Sequence, residues 1–557
     1  MMPMSLQPQQ PIPPVPDDTA RIARAACGTR SPYLILRDRL GNLFTNADFA
    51  DLYPKRGQPA YAPWRLALVT VLQFREGLSD RQAAEAVRAR IDWKYLLALD
   101  LTDPGFDRSV LCEFRGRLLD NKAVDRLLAC VLDVAREDGL LKARGRQRTD
   151  STHVLAAIRT LNRLELVGET LRAALNAIAV AAPDWLRALA PPEWHERYDR
   201  RVEDMRLPAA GPKRDAYVVQ VGTDGFRLLD VLARTDVPTA VMTLPVVETL
   251  RRVWERHFDR AKDGLDERVQ LRPAQGRGPG DRVESPYDTE ARFRAKTGTN
   301  WTGYMVHYTE TCDAGAPRLV VHVDTTPANV HEAPRTAPIH DALVAKGLAP
   351  SEHLVDSAYV SGDHLIAARE QHGIDLIGPG RENLSWQNRT EEAFSLTDFV
   401  VDWDRHTVRC PEGKESFSWY ESPKRPQRRA IVRALFRAPD CRNCPSRSRC
   451  TRSDCLSKGR SITILPRPEY DALAAARARD KTTEGRRLYA QRQGIESTIS
   501  LAVRVFGLRR TRYYGLAKTG LQHMATAAAI NLDRIAAWFG GRPIAPTRTS
   551  RFAALAV

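Results

Sequence analysis

Long hydrophobic runs are missing from this 557-residue chain: nowhere do 18 consecutive apolar residues occur, so no membrane-spanning helix is expected. No basic amphipathic helix stands alone either, which argues against membrane-surface anchoring. Residues 1–16 are rich in Pro and Gln. They lack the charged start, apolar middle and small-residue cleavage site of a secretory signal, so residues 1–30 are expected to be a disordered tail and the protein to be cytoplasmic. Cysteine is scarce, with nine residues, five of them crowded between Cys410 and Cys455. That distribution excludes an evenly spread disulfide framework and fits a reducing compartment with a metal cluster. Acidic residues are also short: 68 Asp and Glu face 84 Lys and Arg, leaving a formal +16. Such a surplus favours a polyanionic partner, nucleic acid foremost, over a charge kept for solubility alone.

The length suggests three or four units, and no internal repeat is found. Residues 31–141 carry helical periodicity. Leu66, Leu68, Val69, Leu72 and Phe74 precede a break at Gly77, and Ser79 then reads as an N-cap with Gln82 three residues on. A further helix over 107–119 sets Leu111, Phe114 and Leu118 beside Arg108, Arg115 and Arg117. This module reads as a DNA binder, with an all-α packing or dimerisation module as the alternative. Around 146–154 the pattern turns to a strand ending on Asp150. A helical insertion follows at about 158–275, and a Gly-, Arg- and Pro-rich loop runs from 272 to 282. Strands are then expected within 291–311, 318–324, 353–355 and 374–377, and helices over 337–346 and 362–372. This alternation predicts an α/β core with a mixed sheet, made of 142–382 and 466–540. It is interrupted by a small Cys-rich, basic insertion over 383–465 and followed by a tail at 541–557.

Two of the strands lead to acidic residues. Asp150 stands in Thr149-Asp150-Ser151-Thr152 and Asp356 in Val355-Asp356-Ser357-Ala358-Tyr359, while Glu496 lies in the basic helical stretch Tyr489-x2-Arg492-x3-Glu496. Taken singly, each Asp is a plausible cap and the Glu a solvated helix residue. Together they are three hard oxygen donors, enough for Mg²⁺, which takes a few carboxylates plus water and phosphate. Phosphodiester transfer must stabilise charge on both the attacking and the leaving oxygen. Two ions about 3.5–4 Å apart do so, with Asp150 bridging them and Asp356 and Glu496 each holding one.

With Thr149-Asp-Ser-Thr-His153, the segment Ala291-Arg-Phe-Arg-Ala-Lys-Thr-Gly-Thr-Asn-Trp-Thr-Gly-Tyr304, Val355-Asp-Ser-Ala-Tyr359 and Tyr489-x2-Arg492-x3-Glu496 in this order, the chain resembles bacterial insertion-sequence transposases of the Asp-Asp-Glu class. Within that class it is similar to the group with a cysteine-bearing insertion before the Glu. The resemblance covers roughly residues 30–540. It implies a ribonuclease-H-like sheet with flanking helices, two Mg²⁺ ions per site (Mn²⁺ substituting), and cleavage and joining at terminal inverted repeats. Double-stranded DNA, both element ends and target, is the implied partner, bound by a homodimer or higher oligomer associated with the nucleoid. It also implies that Tyr489 and Arg492, sharing a helical face with Glu496, touch phosphates near the scissile bond. The family pattern closes with a Lys seven residues after the Glu. Val503 stands there, and Arg504 is the candidate DNA contact one residue later, about 100° around a helix axis. Trp386 is a candidate to stack on a displaced base, by analogy with aromatic residues in related insertions. His153 reads as structural or as lining the site.

In the insertion, Cys410-Pro-Glu-Gly, Cys441-x2-Cys444-Pro, Cys450 and Cys455 have the character of metal knuckles. The expectation is a structural Zn²⁺ on Cys410, Cys441, Cys444 and Cys450, with Cys455 as the competing fourth ligand and His406 behind it. Reduced, metal-free cysteines are the alternative. Two rival functions remain at this stage: a catalytically silent DNA-binding regulator derived from a transposase, and a metal-dependent nuclease that cuts without joining.

Overall fold

A computed structural model of the chain describes residues 4–6, 11–159, 161–202, 207–208, 211–263, 266–273, 282–296, 298–380, 385–423, 425, 429–542 and 555. The center of the 272–282 loop and nearly all of the tail after 542 lie outside the described residues. Part of the expected N-terminal tail is ordered: Asp17–Cys27 is a helix whose Ala23 is buried against Leu34 and Tyr95. Two Asp in its first turn and Arg24 in its last suit the helix dipole.

The N-terminal helices form where the apolar spacing indicates. Helix α1 (Pro63–Glu76) starts on a proline and stops at Gly77, which sits in the left-handed region at φ 70°. Helix α2 (Asp80–Ala89) follows with a complete capping box between Ser79 and Gln82.

The sheet has six strands. Its center is β1 (Arg146–Leu155), which runs antiparallel to β3 (Thr299–Thr311) and parallel to β5 (Glu352–Val355). On the outer edge of β3 lie β2 (Arg292–Lys296) and β4 (Val320–Pro327), both antiparallel to it, and β6 (Asp375–Ile377) extends the sheet beyond β5 in parallel. The expected mixed α/β architecture is therefore observed. Asp150 does not end its strand; pairing with β3 carries β1 on to Leu155, opposite Gly303. Gly303 has φ 152° and pairs with Arg292 as well, and a Cβ there would stand 2.2 Å from the Val154 carbonyl oxygen. Two backbones approach there too closely for a side chain. Helices α3 (Thr336–Ala345) and α4 (Gly362–His372) make the crossovers that parallel strands require.

The helical insertion after β1 has its own apolar core around Trp254, Leu228 and Leu171. Within it Phe258–Asp263 pairs with Asp266–Leu271 as an antiparallel hairpin, a strand pair in a stretch read as helical. After the Cys-rich insertion come helix α5 (Gly494–Arg504) and the long, mostly buried helix α6 (Leu516–Phe539). One continuous apolar cluster joins α1, α2, the sheet and α6, and Arg75 pairs with Asp533 at 2.7 Å across that contact. Packing shows no break at residue 141.

Candidate active site

Register brings the first two carboxylates together. Thr149 pairs with Val355 in the parallel β1–β5 ladder, so Asp150, the next residue of β1, and Asp356, the first residue after β5, lie next to each other. Thr149 points to the opposite face, where its hydroxyl lies 2.6 Å from His353 Nε2, whose other ring nitrogen is 2.8 Å from His340 Nε2. That buried polar chain pins β1 to β5 and α3. Asp150 Oδ1 accepts the Ser151 amide at 2.8 Å and Asp356 Oδ1 accepts the Ser357 hydroxyl at 3.1 Å. Beneath them Tyr359 is buried, with its phenol 2.7 Å from His307 Nδ1.

The third segment is not one helix. Thr483–Ala490 ends in a 3₁₀ turn, Gln491–Gln493, before α5 begins, so Tyr489, Arg492 and Glu496 belong to three successive elements and not to one continuous helical face. The chain nevertheless gathers them. Arg492 Nη2 lies 2.7 Å from Asp150 Oδ2 and its Nη1 3.0 Å from Glu496 Oε1, so one guanidinium spans two of the three carboxylates. Glu496 itself is largely solvent-facing, its side chain 62% exposed. Burial raises the pKa of Asp150, Arg492 and the Ser151 amide oppose the rise, and the carboxylates of Asp356 and Glu496 add to it. Burial likewise raises the Tyr489 phenol, against Arg492 and with help from Asp356 and Asp150, which puts this ring within electrostatic reach of the acids.

A buried charge network, unforeseen in the sequence, docks this segment on the sheet. Glu310 on β3 faces Arg148 on β1 in register. Its carboxylate accepts Arg148 Nε at 2.7 Å, the Thr498 hydroxyl of α5 at 2.6 Å and Arg534 Nη1 of α6 at 2.8 Å. Arg148 also donates to the Gln491 carbonyl, and Arg146 Nη1 to the Gln491 side chain at 2.8 Å. At Gly494 a Cβ would meet Arg148 Nη1 at 2.1 Å, so the first turn of α5 is seated directly on that guanidinium. The only sequence signal was Arg at alternate positions, 146 and 148, within a strand-like run.

The remaining candidates sit elsewhere. Val503 packs half-buried against the core, while Arg504 is exposed and presents its cation to solvent. Trp386 is tied to the insertion: the Arg452 guanidinium lies 4.4 Å from its ring centroid, and the neighbouring Gln387 donates to the Cys450 carbonyl at 3.4 Å. His153 packs its ring 5.2 Å from that of Trp301, and His406 stacks on Trp419. Cys410, Cys441, Cys444 and Cys450 line a single cavity, whereas Cys455 is exposed and bonded to the Ser457 hydroxyl. Among the described residues, no three or more His, Cys, Asp or Glu side chains are drawn together as ligands of one ion. At the carboxylates, the Arg492 guanidinium lies against Asp150 and Glu496.

Two family matches accompany this geometry. Residues 29–117 match the Transposase domain (DUF772), and residues 409–536 match the Transposase DDE domain, a span that includes the cysteines and Glu496. No curated protein and no solved structure gives a match. Among the described residues, no helix is long and apolar enough to cross a membrane.

Proposed function

Since the chain belongs to the insertion-sequence transposases of the Asp-Asp-Glu class, we propose that it binds the terminal inverted repeats of its element, cleaves them, and joins the freed 3′ hydroxyls to target DNA. Asp150, Asp356 and Glu496 are the carboxylates that hold divalent metal. The observation that carries this reading is the Thr149↔Val355 register with Arg492 bridging Asp150 to Glu496, which collects three acids from remote stretches around one cationic group. The strand order, with Asp150 on the central strand and Asp356 at the end of its parallel neighbour, supports a ribonuclease-H-like core.

The donor set fits Mg²⁺ or Mn²⁺: carboxylate oxygens, one of them solvent-facing, already neutralised by a cation standing in for metal. Bound Mg²⁺ supplies charge neutralisation at the attacking and leaving oxygens of the phosphodiester. The protein's own residues do the rest. The Arg148–Glu310–Thr498–Arg534 network holds the segment bearing Glu496 against β1. Asp150, Asp356 and Glu496 would hold the metal, and Arg492, which lies against Asp150 and Glu496, would then be free to donate to a DNA phosphate as a bidentate partner. Tyr489, whose phenol stays protonated, donates to a neighbouring phosphate oxygen, and Arg504 adds a contact further along the DNA. Trp386, backed by Arg452, offers an aromatic face for a base displaced from the DNA end. The N-terminal helices read the element ends, and a dimer or larger assembly holds two ends together.

Labelled terminal-repeat DNA incubated with the protein and Mg²⁺ tests this. Joined products are expected. Cuts without joining would identify a nuclease, and a bare mobility shift a regulator. Asp150→Asn, Asp356→Asn and Glu496→Gln should each abolish cleavage, a loss at least on the scale of about 10²–10³-fold that follows removal of one preorganised electrostatic stabiliser, with end binding retained. A variant that cuts normally removes its residue from the site.

A further inference from the structure

The four cysteines of the insertion surround a space and do not converge on a point. Cys410 follows a hairpin, Cys441 and Cys450 lie on the short helices Ala438–Arg442 and Arg447–Cys450, and Cys444 lies between them; all four line a cavity of about 410 Å³ walled by Phe394, Phe399 and Phe436. Two sulfurs already accept backbone amides, Cys410 from Lys414 and Cys441 from Arg460, each at 3.3 Å. Amide bonds of this kind stabilise metal-bound thiolates.

A single zinc fits this enclosure poorly. Four sulfurs at about 2.3 Å from one tetrahedral ion stand only about 3.8 Å apart and leave no void between them. Here no three ligands are gathered for one ion among the described residues, and the cavity exceeds by an order of magnitude the roughly 30 Å³ that one water occupies. In a four-iron cluster each thiolate takes a different iron, so the cysteines ring a bulky body, and apolar walls with amide-to-sulfur bonds are the means by which a protein shields and tunes it. From the cavity, its four sulfurs and its aromatic walls we infer that Cys410, Cys441, Cys444 and Cys450 bind an iron–sulfur cluster of the [4Fe–4S] type. As each Fe–S bond forms, the thiol proton leaves to solvent. Two ferrous ions, two ferric ions, four sulfides and four thiolates assemble without net oxidation.

The cluster's role is to brace a basic surface. The backbone that carries Cys450 also holds Phe394 through the Arg449 carbonyl at 2.9 Å and presents Arg452 over Trp386. Cys455, exposed and bonded to Ser457, takes no part. This inference does not depend on the transposase reading, and neither stands or falls with the other.

Full-length protein purified without oxygen, then reconstituted with equal ferrous and ferric salts and sulfide, should contain about four irons and four acid-labile sulfides per chain. It should show a broad visible absorption that bleaches on reduction. Cys441→Ser/Cys444→Ser should lower bound iron at least tenfold, and Cys455→Ser should leave it unchanged. About one zinc per chain without sulfide, no uptake of iron and sulfide by the wild-type chain, or equal loss in Cys455→Ser would each overturn the proposal. The wild-type stoichiometry decides the matter even if the double variant misfolds.

Discussion

Glu310 is the residue on which the seating of Glu496 turns. Its fully buried carboxylate joins Arg148 of β1, Thr498 of α5 and Arg534 of α6, and Arg148 is itself only 3% exposed. Glu310→Ala leaves Arg148 buried without a counter-charge and Arg534 half-satisfied, and breaking a buried pair from one side costs about 3–5 kcal/mol. A chain of several units has no single unfolding free energy, so the observable is the melting transition of the unit that contains the sheet. The cluster that joins the N-terminal helices, the sheet and α6 makes this unit larger than about 250 residues, so each kcal/mol moves Tm by at most roughly 2 °C and the expected drop is up to about 6–10 °C. Glu310→Gln keeps the shape and one carbonyl acceptor and should fall between. The measurement is scanning calorimetry on the metal-free protein, paired with cleavage of terminal-repeat DNA at a temperature where both variants are folded. Cleavage should fall with Glu310→Ala because α5 loses its dock. A Tm change under about 2 °C with undiminished cleavage would refute the claim that this network positions the segment.

Two other groups tie stability to pH with opposite signs. Burial raises the pKa of Asp150, so the folded state holds that proton more tightly than the unfolded chain; ionised Asp150 therefore costs stability above its raised pKa and nothing below the ordinary value of about 3.9. Metal-free Asp150→Asn should melt at or above the native temperature at neutral pH while losing protection by Mg²⁺, and an earlier melt contradicts this. Burial would raise Glu332, but hydrogen bonds from Lys296 and Arg294, both 2.8 Å long, prevail and hold it at about 2. Its stabilisation is present above the ordinary 4.5 and lost as pH falls from there towards about 2, worth roughly 3 kcal/mol. Glu332→Gln should lose that amount at neutral pH and flatten the acid limb of the stability curve, and an unchanged limb would disprove it.

Elements whose signals are local could be read directly from the residues. Helix α4 spans 362–372 as its pattern indicates, because Gly373 at φ 62° stops it, and the Ser79 box opens α2 where expected. The strand leading into Asp356 was legible because His353-Leu354-Val355 is a short run suited to a parallel strand buried on both faces. What escaped depends on partners far away in sequence. β1 continues past Asp150 because the far-off β3 pairs with it there, from Ser151↔His307 to Leu155↔Gly303. Phe258–Asp263 and Asp266–Leu271 are charged and weakly alternating, and they become strands only by pairing with each other. The expected unit boundary at 141 failed to reveal that α6, from the far end of the chain, packs on α1. The helix Asp17–Cys27 is short and marginal alone, and it is held by burial of Ala23 against Tyr95.

Arg492 ties the site's chemistry to its geometry. Burial raises the pKa of Asp150, and the nearby carboxylates of Asp356 and Glu496 add a smaller rise. In the metal-free protein something positive must stand between them, or the cleft would open or take up a proton. Arg492 fills that place with two short ion pairs, to Asp150 and Glu496, and its Nε has no hydrogen-bond partner among the described residues. A guanidinium so placed could donate to phosphate instead of carboxylate, because each offers a pair of oxygens that can accept its two N–H groups side by side. In the proposed reaction the same residue that neutralises the resting site would contact the DNA beside it. A lysine at 492 could not span both carboxylates in this way, so Arg492→Lys should loosen the metal-free site even though the charge is kept.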